Sequence, residues 1–358
     1  MTQPMQPPED VAIVAFAQTP SYACFNDSEP AMIMPCVNSV IEQTGMDRHD
    51  IDFTIAGSCD YLSGLPFAFV MNIDAVGAWP PVYESHVEMD GAWALFEGFV
   101  RLQSGDIDTV LVSGSGKCSP GSYREGFSLQ TDPYVHAPIG LDPRTQAGFQ
   151  AQALIAAGKA TERDFAEVVA RSHANAKANP YAQLSGDLLV GDLLAEPYLQ
   201  QPLRRHDCPP TSDGAGAMII ARADKARELC DNPVWIRAID HRIESHHPTL
   251  RDLTDSPSVR LAAERVGLHH GPVDVAELTV TYSPEEIILR EALGLDEATS
   301  VNPSGGPLTG SPFMAVGLTR VIELARAIAN GDGGRGVAHA SSGPALQQNL
   351  LCVLEGDS

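Results

Sequence analysis

Cys208-Pro209-Pro210-Thr211-Ser212-Asp213-Gly214-Ala215-Gly216-Ala217-Met218-Ile219-Ile220-Ala221 runs from a polar turn through small residues into an apolar string. Its last four residues read as a buried strand, and His206-Asp207 opens the return of the chain into it. Working back from there, Val11 to Ala17 reads as a strand, Met32 to Thr44 as an amphipathic helix and Ile51 to Gly57 as a second strand. Pro81 to His86 is expected to be extended, Gly91 to Ser104 helical, and Thr109 to Ser113 a short strand stopping at Gly114. This is βαβ grammar, which implies parallel buried strands.

Working forward, the order returns. A helix is expected at Ser258 to Gly267, a strand at Val275 to Tyr282, a helix at Pro312 to Asn330 and a strand at Gly336 to Ala340. The stretch from His86 through Gly105 to Gly114 matches in layout Gly310 through Gly331 to Gly343: a loop, a long helix, a Gly-Asp turn and a strand ending in small residues. Such a repeat predicts a duplicated α/β fold. One half comprises 1–118 and 206–233, the other 234–358, with an inserted loop domain at 119–205. The insert holds Pro/Gly-rich loops and a helical stretch from Gln146 to Ala178, and a scaffold that does not need such an insert commonly uses it to bind substrate.

Composition narrows the function. The 46 acidic against 23 basic residues give a formal net charge of -23, which repels nucleic acid and anionic lipid surfaces. Apolar runs such as Ala215 to Ala221 are far short of a membrane span, and Met1 to Asp10 is polar and proline-rich rather than signal-like, so a cytoplasmic protein is expected. The seven cysteines, Cys24, Cys36, Cys59, Cys118, Cys208, Cys230 and Cys352, are scattered without a CxxC pair. Neither a disulfide framework nor a metal site is expected from them.

The duplicated halves, the insert and the segment Cys208 to Ala217 together resemble the thiolase superfamily, whose members carry a similar C-x-x-x-SDGAAA segment. Asn302-Pro303-Ser304-Gly305-Gly306 matches that family's NPSGG loop. Ser172-His173, Asn175-Ala176, Asn179-Pro180 and Ala182-Gln183 resemble its lipid-transfer or sterol-carrier branch. Met34-Pro35, Gly57-Ser58 with Asp60-Tyr61, and Glu84 to Leu95 are similar to the thiolase-like proteins of bacterial steroid degradation, relatives of steroid side-chain aldolases. The resemblance implies a five-layered αβαβα thiolase fold, an acyl-CoA thioester as substrate and no cofactor besides the CoA of that substrate. It also implies a dimer, homomeric or with a second thiolase-like subunit, and a small partner combining a zinc ribbon with an OB fold.

The chemistry of the family is missing from its usual places. In His86-Val87-Glu88-Met89-Asp90-Gly91-Ala92 the family cysteine is expected at Gly91, so no thiolate is available there for acyl transfer. The activating histidine falls at Ser311, the acid/base cysteine at Ser341, and a further histidine near Thr279, with Tyr282 at an aromatic position. Claisen condensation and thiolysis are therefore not expected, unless Cys59 or Cys118 reaches the site. What occupies those loops is Asp90, Tyr282, Glu285, Ser311, His339 and Ser341. A retro-aldol cleavage of a β-hydroxyacyl-CoA needs an acid and a base but no nucleophile. The aldolase relatives use tyrosines, so Tyr282 is the first candidate for the base, with His339, Asp90, Ser341 or a residue of another subunit as second group.

Each candidate has a plainer reading. Asp90 caps a helix, Tyr282 and His339 are satisfied core residues, and Ser311 and Ser341 are small fillers or oxyanion donors. His206 and Asp207 read as loop structure rather than a dyad, and His246-His247 and His269-His270 as surface loops. Lys117, Arg124, Arg144 and Arg163 are candidates for the CoA phosphates, with Ser304, Gly305, Gly306 and Ser311 lining the substrate path. Two readings stay open beside the aldolase: a non-catalytic subunit scaffolding a heteromeric complex, and a conventional acyltransferase.

Overall fold

The computed structural model describes residues 10–64, 66–77, 83–129 and 131–357. In chain order its strands are β1 (Val11–Gln18), β2 (Phe53–Gly57), β3 (Glu84–Val87), β4 (Thr109–Lys117), the short pair β5 (Tyr198–Gln200) and β6 (Leu203–Arg204), β7 (Asp213–Arg222), β8 (Val234–Ile243), β9 (Val275–Leu278), β10 (Ser300–Val301), β11 (Arg335–Ser342) and β12 (Gln348–Glu355). All but β5 and β6 join one sheet, ordered β10-β9-β11-β12-β8-β1-β7-β4-β2-β3. Renumbered within its own half, each half reads 3-2-4-5-1 from the outer edge, so the duplication extends to topology. The halves meet where β1 pairs antiparallel with β8.

The expected all-parallel pairing is corrected. Only β2 with β3 and β4, and β9 with β10 and β11, run parallel. The central strands β1, β7, β8 and β12 pair antiparallel. Each half thus returns its last strands across its own sheet, which βαβ grammar alone does not reveal.

Strand alternation builds three cores, and hence five layers. On β4, Val110 and Val112 enter the middle core while Leu111 points to an outer one. On β12, Leu350, Cys352 and Leu354 face the middle, and Leu351 and Val353 the opposite outer core. The helices Glu29–Thr44 and Phe69–Val76 cover the first outer face, Pro257–Arg265 and Pro284–Leu293 the second. Between the half-sheets lie two inner helices, Gly91–Leu102 and Val316–Asn330, whose Trp93, Leu95, Leu318 and Val321 fill the middle core. A strand period of two with apolar residues at both parities requires a cover on each face.

Several expected boundaries move for local reasons. The helix near Met32 starts at Glu29, where Ser28 caps Ala31 and Pro30 fits the first turn. The helical stretch from Gln146 to Ala178 is two helices, Pro143–Ala156 and Glu162–Asn175. Gly158 in the left-handed region (φ 69°) ends the first, and the Thr161–Asp164 capping box starts the second. The helix expected from Pro312 begins only at Val316, after Met314 at φ 69°. The strand expected to reach Tyr282 stops at Leu278, so Tyr282 lies in a loop. Of the stretch expected at Pro81 to His86, positions 81–82 lie outside the described residues, as do 1–9 of the polar N-terminus.

Candidate active site

Asp90 links the two inner helices. Its carboxylate accepts from its own helix at Ala92 N–H (2.8 Å) and from the other at Gly317 and Leu318 N–H (both 2.9 Å). Burial pushes this carboxyl above its ordinary range, and the three backbone donors oppose that shift. Capping is therefore what Asp90 visibly does, although it also lines a cavity of about 290 Å³.

That cavity lies between the insert, which supplies Phe127, Thr131, Pro143 and Gln146, and the second half, which supplies Tyr282, Glu285, Phe313, Met314, Ser341 and the loop Gly343–Ala345. Tyr282 is held from both sides. Glu285 Oε2 accepts the N–H groups of Thr281 (2.7 Å) and Tyr282 (3.1 Å), and Ser283 Oγ donates to Asp207 Oδ1 (2.5 Å). Tyr282 is 6 % exposed and closes one wall. Glu285 is buried, and burial pushes its carboxyl up from 4.5 to about 7, against those two backbone bonds. A carboxyl in that range can both take and return a proton near neutral pH.

The cavity wall carrying Ser341 is strained and clamped. Gly343, Ala345 and Leu346 occupy the left-handed region at φ 72°, 53° and 59°, a backbone that costs non-glycine residues energy and persists only when its surroundings impose it. Arg251 donates to the carbonyls of Pro344 (3.1 Å) and Ala345 (2.9 Å), and Asn349 Nδ2 to that of Leu346 (2.7 Å).

His339 does not reach the cavity. It is fully buried on β11, its Nε2 lies 2.9 Å from Asn349 Oδ1, and burial lowers its pKa to about 4. A ring held neutral at physiological pH cannot serve as the acid, and its visible role is to orient the Asn349 that pins Leu346.

The substrate-binding candidates disperse. Lys117 reaches the carbonyl of Asp27, Arg124 pairs with Asp142, and Arg144 lies against Cys208. Arg163 pairs with Glu167 along its own helix. Ser304 bonds Glu277 (2.8 Å) in a buried network with Arg320, and Ser304 and Gly306 border a separate space of about 10 Å³, one water molecule in size. Gly305 packs on Ala176 and Thr309. Ser311 is buried behind Ser212, to whose Oγ it donates its N–H (2.9 Å). None of these residues borders the cavity.

The cysteine position changes too. A Cβ at Gly91 would lie 2.9 Å from Leu318 Cδ2 and 3.1 Å from Gly114 Cα, so a side chain there faces the second inner helix, not the cavity. No cysteine lines the cavity among the described residues, and the Cys118 thiol, buried near Asp213 and Glu29, is pushed up to about 12. Gly91→Cys is therefore expected to create no acyl-enzyme, checked by intact mass after incubation with acetyl-CoA, and to destabilise the chain by roughly 1–3 kcal/mol through overpacking, checked by thermal unfolding.

Two groups were not given their weight by sequence. Glu285 was one of several loop residues, and only the fold turns it to the cavity. His246, expected on a surface loop, lines the cavity. His206 and Asp207 share a short 3₁₀ turn with Nε2 3.6 Å from Oδ2, and the work of Asp207 is to hold Ser283.

Fold and site together are those of a thiolase-fold protein whose described cavity lining holds no thiol. No family model matches the chain. It is 27 % identical over 364 residues to an acetyl-CoA acetyltransferase of Methanothermobacter thermautotrophicus, covering 93 % of this chain and 94 % of that one. It is 28 % identical over 298 residues to sterol carrier protein 2 of Gallus gallus, covering 73 % of this chain but only 54 % of that longer protein. Among solved structures, the Ltp2-ChsH2(DUF35) aldolase superposes with a TM-score of 0.80 at 19 % identity, covering 98 % of both chains. Human mitochondrial 3-ketoacyl-CoA thiolase gives 0.80 at 16 %, covering 98 % of this chain and 99 % of that one. The chain thus shares the thiolase fold and is similar in sequence to acetyl-CoA acetyltransferases and sterol carrier protein 2. No described helix is long and apolar enough to cross a membrane.

Proposed function

We propose that the protein binds an acyl-CoA thioester in this cavity and cleaves a carbon–carbon bond of a β-hydroxyacyl-CoA by retro-aldol chemistry. The observation that carries the reading is the pairing of Tyr282 with Glu285 on one wall of a cavity whose described lining holds no cysteine. A phenol is protonated at neutral pH, whereas a carboxyl near pH 7 is partly ionised. The roles therefore differ from the sequence expectation. Glu285 takes the β-hydroxyl proton, the Cβ carbonyl forms as the Cα–Cβ bond breaks, and the electron pair passes into the thioester enolate. Tyr282 gives a proton to Cα, Ser341 donates to the thioester oxygen, and Glu285 then releases its proton to solvent as the Tyr282 phenolate takes one up, which restores both groups.

The proposal extends to a steroid-derived acyl group, a cytoplasmic location, and work in a complex with a zinc-ribbon/OB-fold partner, as a homodimer or with a second thiolase-like subunit. The name of the similar aldolase, which joins Ltp2 to ChsH2(DUF35), supports the complex. So does β3, which is an end strand of the sheet among the described residues.

The return half-reaction tests proton transfer without the natural substrate. In D₂O the wild type is expected to exchange the α-protons of propionyl-CoA, followed by proton NMR, and Tyr282→Phe to abolish that exchange. Exchange no faster with wild type than in buffer sinks the catalytic reading and favours a scaffold.

A further inference from the structure

The negative charge of an acyl-CoA sits on its phosphates, far from the acyl group, and this chain is itself at -23. A cationic group is needed where the phosphorylated end emerges. No lysine or arginine lines the cavity among the described residues. Arg124, on the same short helix (Tyr123–Leu129) as the cavity-lining Phe127, is paired with Asp142, and Arg251 donates to the carbonyls of Pro344 and Ala345. What remains is a group of imidazoles.

His246 is exposed and forms part of the cavity wall. Its ring centre is 6.2 Å from that of His136 and 6.2 Å from that of His247, and the latter two are 4.6 Å apart. His136 is 5 % exposed and comes from the insert, whereas His246 and His247 follow β8. Two distant parts of the chain thus bring three imidazoles to one rim, where apolar packing would be served as well by any aliphatic side chain. Asp132 is the carboxylate beside His136 and His247, and its Oδ1 is engaged by the N–H groups of Tyr134 (2.9 Å) and Val135 (2.7 Å). Glu244, on the same link as His246, is engaged by Ser256 and Ser258.

We propose that His136, His246 and His247 form an anion-binding mouth for the phosphorylated end of the CoA ester. This rests on the acyl-CoA reading of the cavity. An approaching polyanion favours the protonated rings, which supply N–H donors and charge together. The contact is electrostatic, so it weakens as salt is raised.

Isothermal titration calorimetry of the full chain separates the two layers of the proposal, with coenzyme A and with pantetheine, which lacks the phosphates, as probes. Coenzyme A is expected to bind about tenfold or more weakly at about 1 M than at about 0.1 M salt, pantetheine to show little salt dependence, and His246→Gln, at an exposed position, to remove most of the difference. Coenzyme A affinity unchanged by both salt and His246→Gln overturns the mouth and leaves the acyl-CoA reading standing. If neither probe binds, the acyl-CoA reading fails and the mouth falls with it.

Discussion

Glu285→Gln is expected to slow carbon–carbon cleavage by about 10²–10⁴-fold, the usual worth of a positioned general base, and at the same time to stabilise the protein above neutral pH. The two effects share one cause. Burial raises this carboxyl from 4.5 to about 7, so between those values the folded state binds more protons than the unfolded one. Its contribution is fully present below the unfolded value and is lost as pH rises through about 7. The span corresponds to about 3 kcal/mol. Glutamine keeps an oxygen for the N–H groups of Thr281 and Tyr282 but never ionises, so its stability should not fall over that window. Urea unfolding at about pH 5 and about pH 8 checks this. A wild type that loses nothing relative to the variant between those conditions refutes the shifted carboxyl. The catalytic side predicts a wild-type kcat/KM that rises with pH through about 7 as Glu285 ionises.

Asp90→Ala should be the most destabilising single change at the site. Asp90 is 2 % exposed and satisfies three buried N–H groups on two helices. An ordinary cap is worth about 1 kcal/mol and each buried orphan donor about 1–3, so a loss of about 3–5 kcal/mol is expected. Asp90→Asn, which keeps one acceptor oxygen, should lose roughly half of that. Denaturant unfolding measures both. A loss below about 1 kcal/mol for alanine would mean that the second inner helix does not depend on Asp90 for its first turn.

The repeat was legible because it is written in local signals: a helix period, a Gly-Asp turn and a strand ending in small residues occur twice. Antiparallel return was not legible, because β7 and β12 are continuous apolar strings that fit either direction. Tyr282 could be found from its loop. Glu285 could not be ranked above its neighbours, since its altered carboxyl arises from burial that only tertiary packing supplies. The basic candidates failed for a related reason: a long charged side chain goes where its nearest partner is, and Asp27 and Asp142 decided for Lys117 and Arg124. His246 and His136 stand 110 positions apart by number, so no local pattern joins them.

The most direct test of the central claim is to incubate the purified protein, alone and with a zinc-ribbon/OB-fold partner, with a steroid-derived β-hydroxyacyl-CoA, and to quantify the shortened acyl-CoA and the released carbonyl compound. Cleavage by the wild type that falls at least about a hundredfold in Tyr282→Phe is the predicted result. Cleavage that survives Tyr282→Phe unchanged, or none under either condition, would contradict the assignment of this cavity as a retro-aldolase site.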